Sequence, residues 1–173
     1  MNISIQRSTS LFLISLILFC CIIGCNNNSD QQNRNPLVGT WKFISIVGMN
    51  SNGQTFFPYG EKPYGRLMYD SKGNMIVLLM KHERPKFKSD DMATSTCDEI
   101  RVAFEGFDAY CGTYLLDREK QTVTHRIEGA RFPNWENTDQ IRHYSVRSDS
   151  LFLSASVPVG GDLWDLKAVL ISM

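Results

Sequence analysis

The chain has 173 residues, of which 43% are hydrophobic and 21% are charged, and its formal net charge at pH 7 is zero. This length fits one domain that can bury a sound hydrophobic core. Because there is no excess of basic side chains to neutralise phosphate groups, nucleic acid is not expected as a partner.

The N-terminal residues 1–24 have the layout of a secretory signal. Arg7 supplies a positive charge before an apolar run at 11–24, which at about fourteen residues is shorter than the roughly twenty that a membrane-spanning helix needs. The run ends in Ile22-Ile23-Gly24-Cys25, which resembles a bacterial lipobox, the motif in which the cysteine is lipidated and the chain is cut before it. We therefore predict a lipoprotein signal peptide at 1–24 and lipidation at Cys25. The alternative is an ordinary cleaved signal peptide followed by an incidental cysteine.

Residues 25–36, CNNNSDQQNRNP, are polar and show no apolar periodicity, so they predict a disordered tether that begins at the lipidated cysteine. Several acyl chains on one residue exceed the two signals that stable membrane anchoring needs. Asn26 differs from the aspartate that keeps some lipoproteins at the inner membrane. The resemblance to lipoproteins thus implies a protein of the bacterial cell envelope that is lipid-anchored to a membrane through Cys25, with the outer membrane as the expected location.

The rest of the chain, 37–173, predicts an all-β domain. Short connections such as Ser71-Lys72-Gly73 separate runs of apolar or alternating residues, which is the pattern of antiparallel hairpins. One helix is predicted near 98–109, between the third and fourth strands, from the spacing of its apolar residues. Eight strands are predicted, at 39–47, 65–70, 74–81, 113–117, 122–129, 140–147, 150–156 and 163–171.

The order of these elements favours a barrel. Helices and strands do not alternate, so a parallel sheet is not expected. Eight antiparallel strands with short connections favour a closed up-and-down barrel, because closure removes unpaired strand edges and leaves an interior that can hold one small ligand. A β-sandwich is the competing architecture.

Two cysteines, Cys97 and Cys111, lie in the predicted domain. A continuous helix over the segment between them would hold their Cα atoms roughly 20 Å apart, whereas a disulfide needs a separation of about 7 Å or less. Both thiols are therefore predicted to be free. The alternative is a chain that doubles back after Ala109, which would let an envelope protein join the two cysteines.

Several stretches of the domain resemble the bacterial and fungal lipocalin-like domain family in their order and spacing, and together they span about 37–155. Gly39-x-Trp41, within LVGTWKFIS, is the N-terminal signature that lipocalins share. The other matching stretches are PYGRLMYDSKGNM, ERPKF, EIRVAFEGFDAYCGTY, TVTHRIEGARFPNW and TDQIRHY. The resemblance implies a small, lipocalin-like β-barrel around a ligand-sized cavity, and it does not imply a reaction. Cys97 and Cys111 depart from the family pattern and take no role from it.

Alternation of side chains along the predicted strands indicates which residues face the barrel interior. His125 shares a face with Val123 and Ile127, so it is predicted to point inward. The predicted interior is mostly apolar with a polar minority, which is the usual composition of a ligand site. The predicted ligand-binding residues are Tyr114, His125, Gln140, Arg142 and Tyr144, with Trp135 closing the barrel mouth from the loop at 129–140.

These residues also have structural interpretations. His125 could be a core histidine whose ring is satisfied by a backbone carbonyl or by Tyr114. Arg142 could belong to an ion pair, because a guanidinium inside a barrel must meet a carboxylate, carbonyl groups, water or an anionic ligand. Trp135 could anchor a loop that folds under the barrel.

Three functional hypotheses follow. The sequence has no Gly-x-Ser-x-Gly motif, no paired-cysteine metal motif and no phosphate-binding glycine loop, and its three histidines are scattered, so no metal or cofactor is expected. The first hypothesis is an envelope lipoprotein that binds a small apolar or amphipathic molecule inside the barrel. The second is a small enzyme of the isomerase or cyclase type, in which His125 acts as general acid or base and Arg142 stabilises negative charge. The third is a structural lipoprotein whose barrel is filled by side chains.

Overall fold

The computed structural model describes residues 34–173. The predicted signal peptide, the lipidation site Cys25 and the tether up to residue 33 lie outside the described residues. Asn35–Met173 form one compact unit. The side-chain amide of Asn35 donates to the Tyr114 hydroxyl over 2.8 Å, and its side-chain oxygen accepts from the backbone N–H of Leu37. The last residues of the predicted tether therefore contact the domain.

Strands make up most of this unit, and their burial alternates as the sequence predicted. In the fourth strand, for example, Met75, Val77 and Leu79 are buried while the residues between them are exposed. This period of two arises because successive side chains of a strand point to opposite faces. The strands are β1 (Gly39–Asn50), β2 (Thr55–Phe56), β3 (Tyr64–Tyr69), β4 (Asn74–Met80), β5 (Phe107–Asp117), β6 (Thr122–Ala130), β7 (Thr138–Arg147), β8 (Ser150–Val159) and β9 (Asp162–Ser172).

The strands form a single closed antiparallel sheet. From β3 to β9 each strand pairs with the next, and β1 pairs with both β3 and β9. The β1–β9 register runs from Trp41↔Ser172 to Asn50↔Trp164, so the sheet closes into a ring made of β1 and β3–β9. The two-residue strand β2 pairs with β1 beside this ring. The predicted eight-stranded antiparallel barrel is confirmed, and one closed sheet excludes a sandwich.

A helix lies between β4 and β5, as predicted, but it ends earlier than predicted. This helix, α1 (Cys97–Glu105), begins with a capping box in which Thr96 and Glu99 exchange hydrogen bonds. The sequence predicted helix to residue 109, whereas Gly106 ends it and β5 begins at Phe107. Pairing of β5 with β4 outweighs the helical spacing of the apolar residues because it buries the inward face of β5 in the barrel. No helix in residues 34–173 combines the length and apolar character that crossing a membrane requires.

Cys97 and Cys111 are both free, as predicted, and both are exposed. The geometric reason differs from the expected one, because a helix does not join them throughout. Cys97 is the first residue of α1, and Cys111 lies on the outward face of β5.

The two ends of the barrel differ. The hairpins that follow β3, β5 and β7 are short, and they lie at the end where the N-terminal segment enters, which we call the closed end. There Trp41 is buried, and its indole N–H donates to the Leu37 carbonyl over 2.8 Å. The longer connections, at 51–63, 81–106 and 131–137, lie at the opposite end, which we call the mouth.

Candidate functional site

His125 lies inside the barrel and is completely buried. Strand β6 places it between the buried side chains of Val123 and Ile127, in agreement with the alternation of the sequence. Its Nε2 lies 2.6 Å from the Tyr69 hydroxyl, and its Nδ1 lies 3.2 Å from the Tyr110 hydroxyl. Each nitrogen of the ring therefore has a tyrosine partner, and we call these three residues the tyrosine–histidine cluster.

Burial keeps His125 and Tyr69 neutral. Removal from water lowers the pKa of His125 well below its usual value, and the positive charge of Arg142 lowers it further. Burial likewise raises the pKa of Tyr69 well above its usual value. At neutral pH the cluster therefore consists of a neutral imidazole and a phenol that keeps its hydrogen.

Arg142 brings a positive charge to the edge of this cluster. Gln140, Arg142 and Tyr144 lie on the inward face of β7, and all three are half-buried. One terminal nitrogen of Arg142, Nη2, donates to Oε1 of Gln140 over 2.6 Å and to the Tyr110 hydroxyl over 3.4 Å. Among residues 34–173, no acidic side chain forms an ion pair with Arg142. The structural interpretation of Arg142 as half of an ion pair therefore finds no partner in this part of the chain.

Tyr114 also points inward, but its hydroxyl lies at the closed end. It donates to the backbone carbonyl of Asp70 over 2.8 Å and accepts from Asn35. The sequence predicted that Tyr114 would converge with His125 and Arg142. The register of β5 and β6 does place Tyr114 directly opposite His125. Its hydroxyl, however, is engaged by the β3–β4 hairpin and the N-terminal segment, and Tyr110 is the tyrosine whose hydroxyl contacts both His125 and Arg142. A ligand contact of Tyr114 stays a prediction without support from its hydrogen bonds.

Trp135 lies at the mouth, in a single 3₁₀ turn at Pro133–Trp135 between β6 and β7. Its ring meets the Tyr110 ring edge-on, with centroids 5.9 Å apart, and it packs in the same way on Phe132. Trp135 is half-buried and therefore covers Tyr110 from the mouth side. Its position agrees with a side chain that closes the mouth, and a direct contact with ligand stays a prediction, as it does for Tyr144.

The sequence analysis did not select Tyr69 and Tyr110, although they complete the tyrosine–histidine cluster. Tyr69 shares the inward face of β3 with the buried Leu67, so the alternation of side chains along the strand could have predicted that it points inward. Tyr110 shares a face of β5 with Tyr114. It was missed because the predicted strand began only at residue 113, after the helix that was predicted too long.

An apolar wall lies beside β7, on the inward faces of β8 and β9. Leu153 is buried within this wall. Nearer the mouth, Ala155 pairs with Leu166 and Val157 with Trp164, and these four side chains are only half-buried. They share the inward face with Leu153 but lie nearer the mouth and keep part of their surface exposed. Burial of this inward face is thus complete near the closed end and only partial near the mouth.

Phe56 and Trp164 form the rim of the mouth on the side of β1. Their rings meet edge-on, with centroids 4.6 Å apart. Phe56 belongs to β2 and lies opposite Gly48, where a Cβ atom would overlap the Phe56 ring. The absence of a side chain at Gly48 therefore allows β2 to place an aromatic ring over the inward face of the barrel wall.

A second buried network connects the loops of the mouth. Asp108 is buried at the start of β5, where it accepts from the Tyr59 hydroxyl over 2.8 Å and lies 3.3 Å from Nε of Arg131. Arg131 also donates to the Phe104 carbonyl and stacks on the Phe104 ring. Burial, together with the Asp108 charge, raises the pKa of Tyr59 far above its usual value. The network around the Asp108 carboxylate thereby joins the β2–β3 connection, α1 and the β6–β7 loop.

The other polar groups and clefts in the described part of the chain show fewer features of a functional site. Within residues 34–173, no three His, Cys, Asp or Glu side chains are grouped closely enough to hold a metal ion. His82 and His143 are exposed. Surface clefts of about 170 and 240 Å³ lie beside α1 and beside the β8–β9 turn, respectively, and the residues that line them do not include His125 or Arg142.

Comparison with known proteins agrees with this architecture. The 4'-hydroxy-3'-methoxypropiophenone carrier protein of Aspergillus oryzae is 26% identical over 91 residues, which cover 49% of this chain and 82% of that protein. No solved structure matches the chain significantly. A family model described as a lipocalin-like domain matches residues 38–171, which include nearly all of the barrel. The chain therefore belongs to the lipocalin-like domain family.

Proposed function

We propose that the protein is a carrier that binds a small apolar or amphipathic molecule in the mouth half of its barrel. The observation that carries this proposal is the wall of inward-facing, solvent-reached apolar side chains, chiefly Ala155, Val157 and Leu166. Apolar side chains on the inside of a closed barrel normally cover one another, as they do here near the closed end. Where water reaches them instead, an apolar ligand that replaces the water gains the free energy of hydrophobic burial.

The similar protein from Aspergillus oryzae supports a carrier role. Its name assigns it a hydroxy-methoxypropiophenone, a compound with an apolar aromatic body and a few oxygen atoms. An apolar wall beside the polar groups of Gln140, Arg142 and Tyr110 suits a molecule of that general kind. We transfer to this chain only the class, a small molecule with an apolar body and polar oxygen groups.

We also propose that the carrier works in the bacterial cell envelope, lipid-anchored through Cys25, with the outer membrane as its location. This part of the proposal comes from the lipobox that ends at Cys25 and from the polar tether after it. A tether would let the barrel collect or deliver an apolar molecule close to a lipid surface.

The other hypotheses receive less support from the geometry. Catalysis by His125 would require one ring nitrogen to reach a substrate. Both nitrogens are hydrogen-bonded to tyrosine hydroxyls, and the side chain is fully buried. A barrel filled throughout would leave no inward-facing side chain accessible near the mouth, whereas Ala155 and Leu166 are accessible there.

The carrier proposal can be tested by filling the mouth half of the barrel. Ala155→Phe adds a ring on the inward face of β8, whereas Ser154→Phe adds the same ring on the outward face one residue away. With the neutral fluorescent probe N-phenyl-1-naphthylamine, we expect wild type and Ser154→Phe to bind and Ala155→Phe to lose at least about tenfold in affinity, equivalent to about 1.4 kcal/mol. No binding by wild type, or equal binding by Ala155→Phe, would contradict a site inside the barrel.

A further inference from the structure

The number of donors and acceptors in the tyrosine–histidine cluster determines which atom donates in each of its hydrogen bonds. Tyr69 is buried, and within residues 34–173 its hydroxyl has one partner, Nε2 of His125. If Nε2 carried the hydrogen of the ring, the Tyr69 hydroxyl would only accept, and its own hydrogen would have no acceptor in the core. Either position of the ring hydrogen leaves one tyrosine hydrogen without an acceptor in this part of the chain. An unpaired donor is less costly on Tyr110, which is 9% exposed at the edge of the cluster, than on Tyr69, which is 2% exposed. The Tyr69 hydroxyl therefore donates, and Nε2 of His125 accepts.

In this assignment the Tyr110 hydroxyl remains a hydrogen-bond donor without an acceptor among residues 34–173. A neutral imidazole that accepts at Nε2 carries its hydrogen on Nδ1, so His125 donates from Nδ1 to the Tyr110 oxygen over 3.2 Å. Arg142 donates to the same oxygen over 3.4 Å. A hydroxyl has two acceptor positions and one hydrogen. Both acceptor positions of Tyr110 are filled, and its hydrogen has no acceptor in the described part of the chain.

Arg142 has the same surplus of donors. A guanidinium has five N–H groups, and within residues 34–173 the side-chain bonds to Gln140 and Tyr110 both start from Nη2. Asp108, the buried carboxylate in this part of the chain, is engaged by Tyr59 and Arg131 instead. The edge of the cluster therefore combines one positive charge with several hydrogens that lack acceptors.

We propose that the ligand is a small amphipathic acid whose carboxylate is bound by the Arg142 guanidinium and the Tyr110 hydroxyl, with its apolar body on the β8–β9 wall. This inference rests on the proposed carrier function and names the chemical class of the ligand. A carboxylate offers only acceptors, so it complements a site that offers only donors. Its two oxygens also fit the forked geometry of a guanidinium.

The proposal assigns part of the affinity to the negative charge of the ligand and part to its apolar body. Two probes that share the apolar body and differ in charge therefore test it. Isothermal titration calorimetry of the full-length protein would compare 3-(2-naphthyl)propionic acid with its methyl ester, which has the same apolar body without the charge. We expect the acid to bind about tenfold or more tightly than the ester, since hydrogen bonds to charged groups are the stronger ones.

Three variants locate the source of that preference. Arg142→Met keeps a long apolar side chain, and we expect it to abolish the preference by weakening acid binding about tenfold or more and ester binding by less. Tyr110→Phe removes one donor and keeps the ring against Trp135, so it should reduce the preference. Arg126→Met removes a positive charge from the outward face of β6 and should leave the preference unchanged.

Each result decides the question. Equal affinity of wild type for acid and ester would overturn the acid proposal and leave the carrier function standing. A preference that survives in both Arg142→Met and Tyr110→Phe would also overturn it. Binding of neither probe by wild type would count against the carrier function itself. If Arg142→Met does not fold, the comparison of wild type with Tyr110→Phe decides alone.

Discussion

The Tyr69 hydroxyl lies 2.6 Å from Nε2 of His125, in an interior where the tyrosine is 2% exposed and the histidine is not exposed at all. This pair connects β3 to β6 across the barrel, 56 residues apart in the chain. Because the histidine has no contact with water, its polar atoms depend on the tyrosines for hydrogen bonds. The pair therefore determines both the stability of the core and the protonation state of the ring.

Removing the Tyr69 hydroxyl should destabilise the fold. In Tyr69→Phe, Nε2 of His125 loses its partner whichever nitrogen carries the hydrogen, and an unsatisfied buried polar atom costs about 1–3 kcal/mol. Urea denaturation would measure the loss. Tyr64→Phe is the control, because Tyr64 is largely exposed and its ring remains beside Arg66. A loss in Tyr69→Phe no larger than that of the control would show that the bond contributes nothing to stability.

The neutral state of His125 should make the fold less stable in mild acid. Burial, with a contribution from Arg142, lowers its pKa in the folded protein well below the value of about 6.5 that it has when unfolded. Below that unfolded value the unfolded chain binds the proton and the folded chain does not, so the stability contributed by this residue is present above it and is lost as the pH falls. The loss from this group therefore sets in as the pH falls through about 6.5, and its slope cannot exceed about 1.4 kcal/mol per pH unit.

Chemical denaturation at several pH values would detect this loss. In His125→Gln the pH-dependent part of the loss should disappear, even if the variant is less stable at every pH. His143→Gln removes an exposed histidine from the outward face of β7 and should keep the wild-type slope. An unchanged slope in His125→Gln would mean that the ring titrates alike in the folded and unfolded chains.

Local sequence patterns predicted the barrel and part of its interior. The inward position of His125 followed from Val123 and Ile127, since the period of two persists along β6. Tyr110 was not predicted as an inward-facing residue because apolar residues at helical spacing extended the predicted helix past Gly106. Only pairing with β4 makes that segment a strand. Such pairing is a tertiary effect, and a local pattern does not contain it.

The network at the mouth had no local signal at all. Tyr59 and Arg131 lie 49 and 23 residues from Asp108 in the chain, on connections whose paths a sequence pattern does not define. Charged residues are usually solvated, and Asp108 fell within the predicted helix at 98–109, so nothing distinguished it as a buried carboxylate. The same holds for the contact between Arg142 and Tyr110, which depends on where two non-adjacent strands face each other across the barrel.

The mouth network should contribute substantially to stability. Arg131→Met removes the positive partner of Asp108 and leaves a buried carboxylate with the Tyr59 hydroxyl as its side-chain partner. We expect a loss of about 3 kcal/mol in the free energy of unfolding, at the lower end of the range for breaking a buried ion pair, because Arg131 keeps some contact with water. Differential scanning calorimetry or urea denaturation would measure it.

Arg126→Met is the matched control for that measurement. Arg126 also pairs with an aspartate, Asp139, but both side chains are more than half exposed. Exposed pairs contribute about 0–1 kcal/mol, so this variant should lose little. Equal losses in Arg131→Met and Arg126→Met would show that burial of Asp108 does not strengthen its pair.

The final prediction concerns the membrane anchor, and it rests on the sequence Ile22-Ile23-Gly24-Cys25. Lipidation requires the sulfur of Cys25 as the nucleophile that takes the lipid, and a hydroxyl does not replace it in this role. Cys25→Ser should therefore leave the signal peptide unprocessed at this site and shift the protein out of the lipid-modified membrane fraction. Mass spectrometry of the mature N-terminus would show acyl chains on wild type and none on the variant. Cys97→Ser, which removes an exposed thiol at the start of α1, should remain acylated and membrane-bound. Acyl chains on Cys25→Ser, or their absence from wild type, would rule out Cys25 as the anchor and leave the protein without a lipid attachment at that residue.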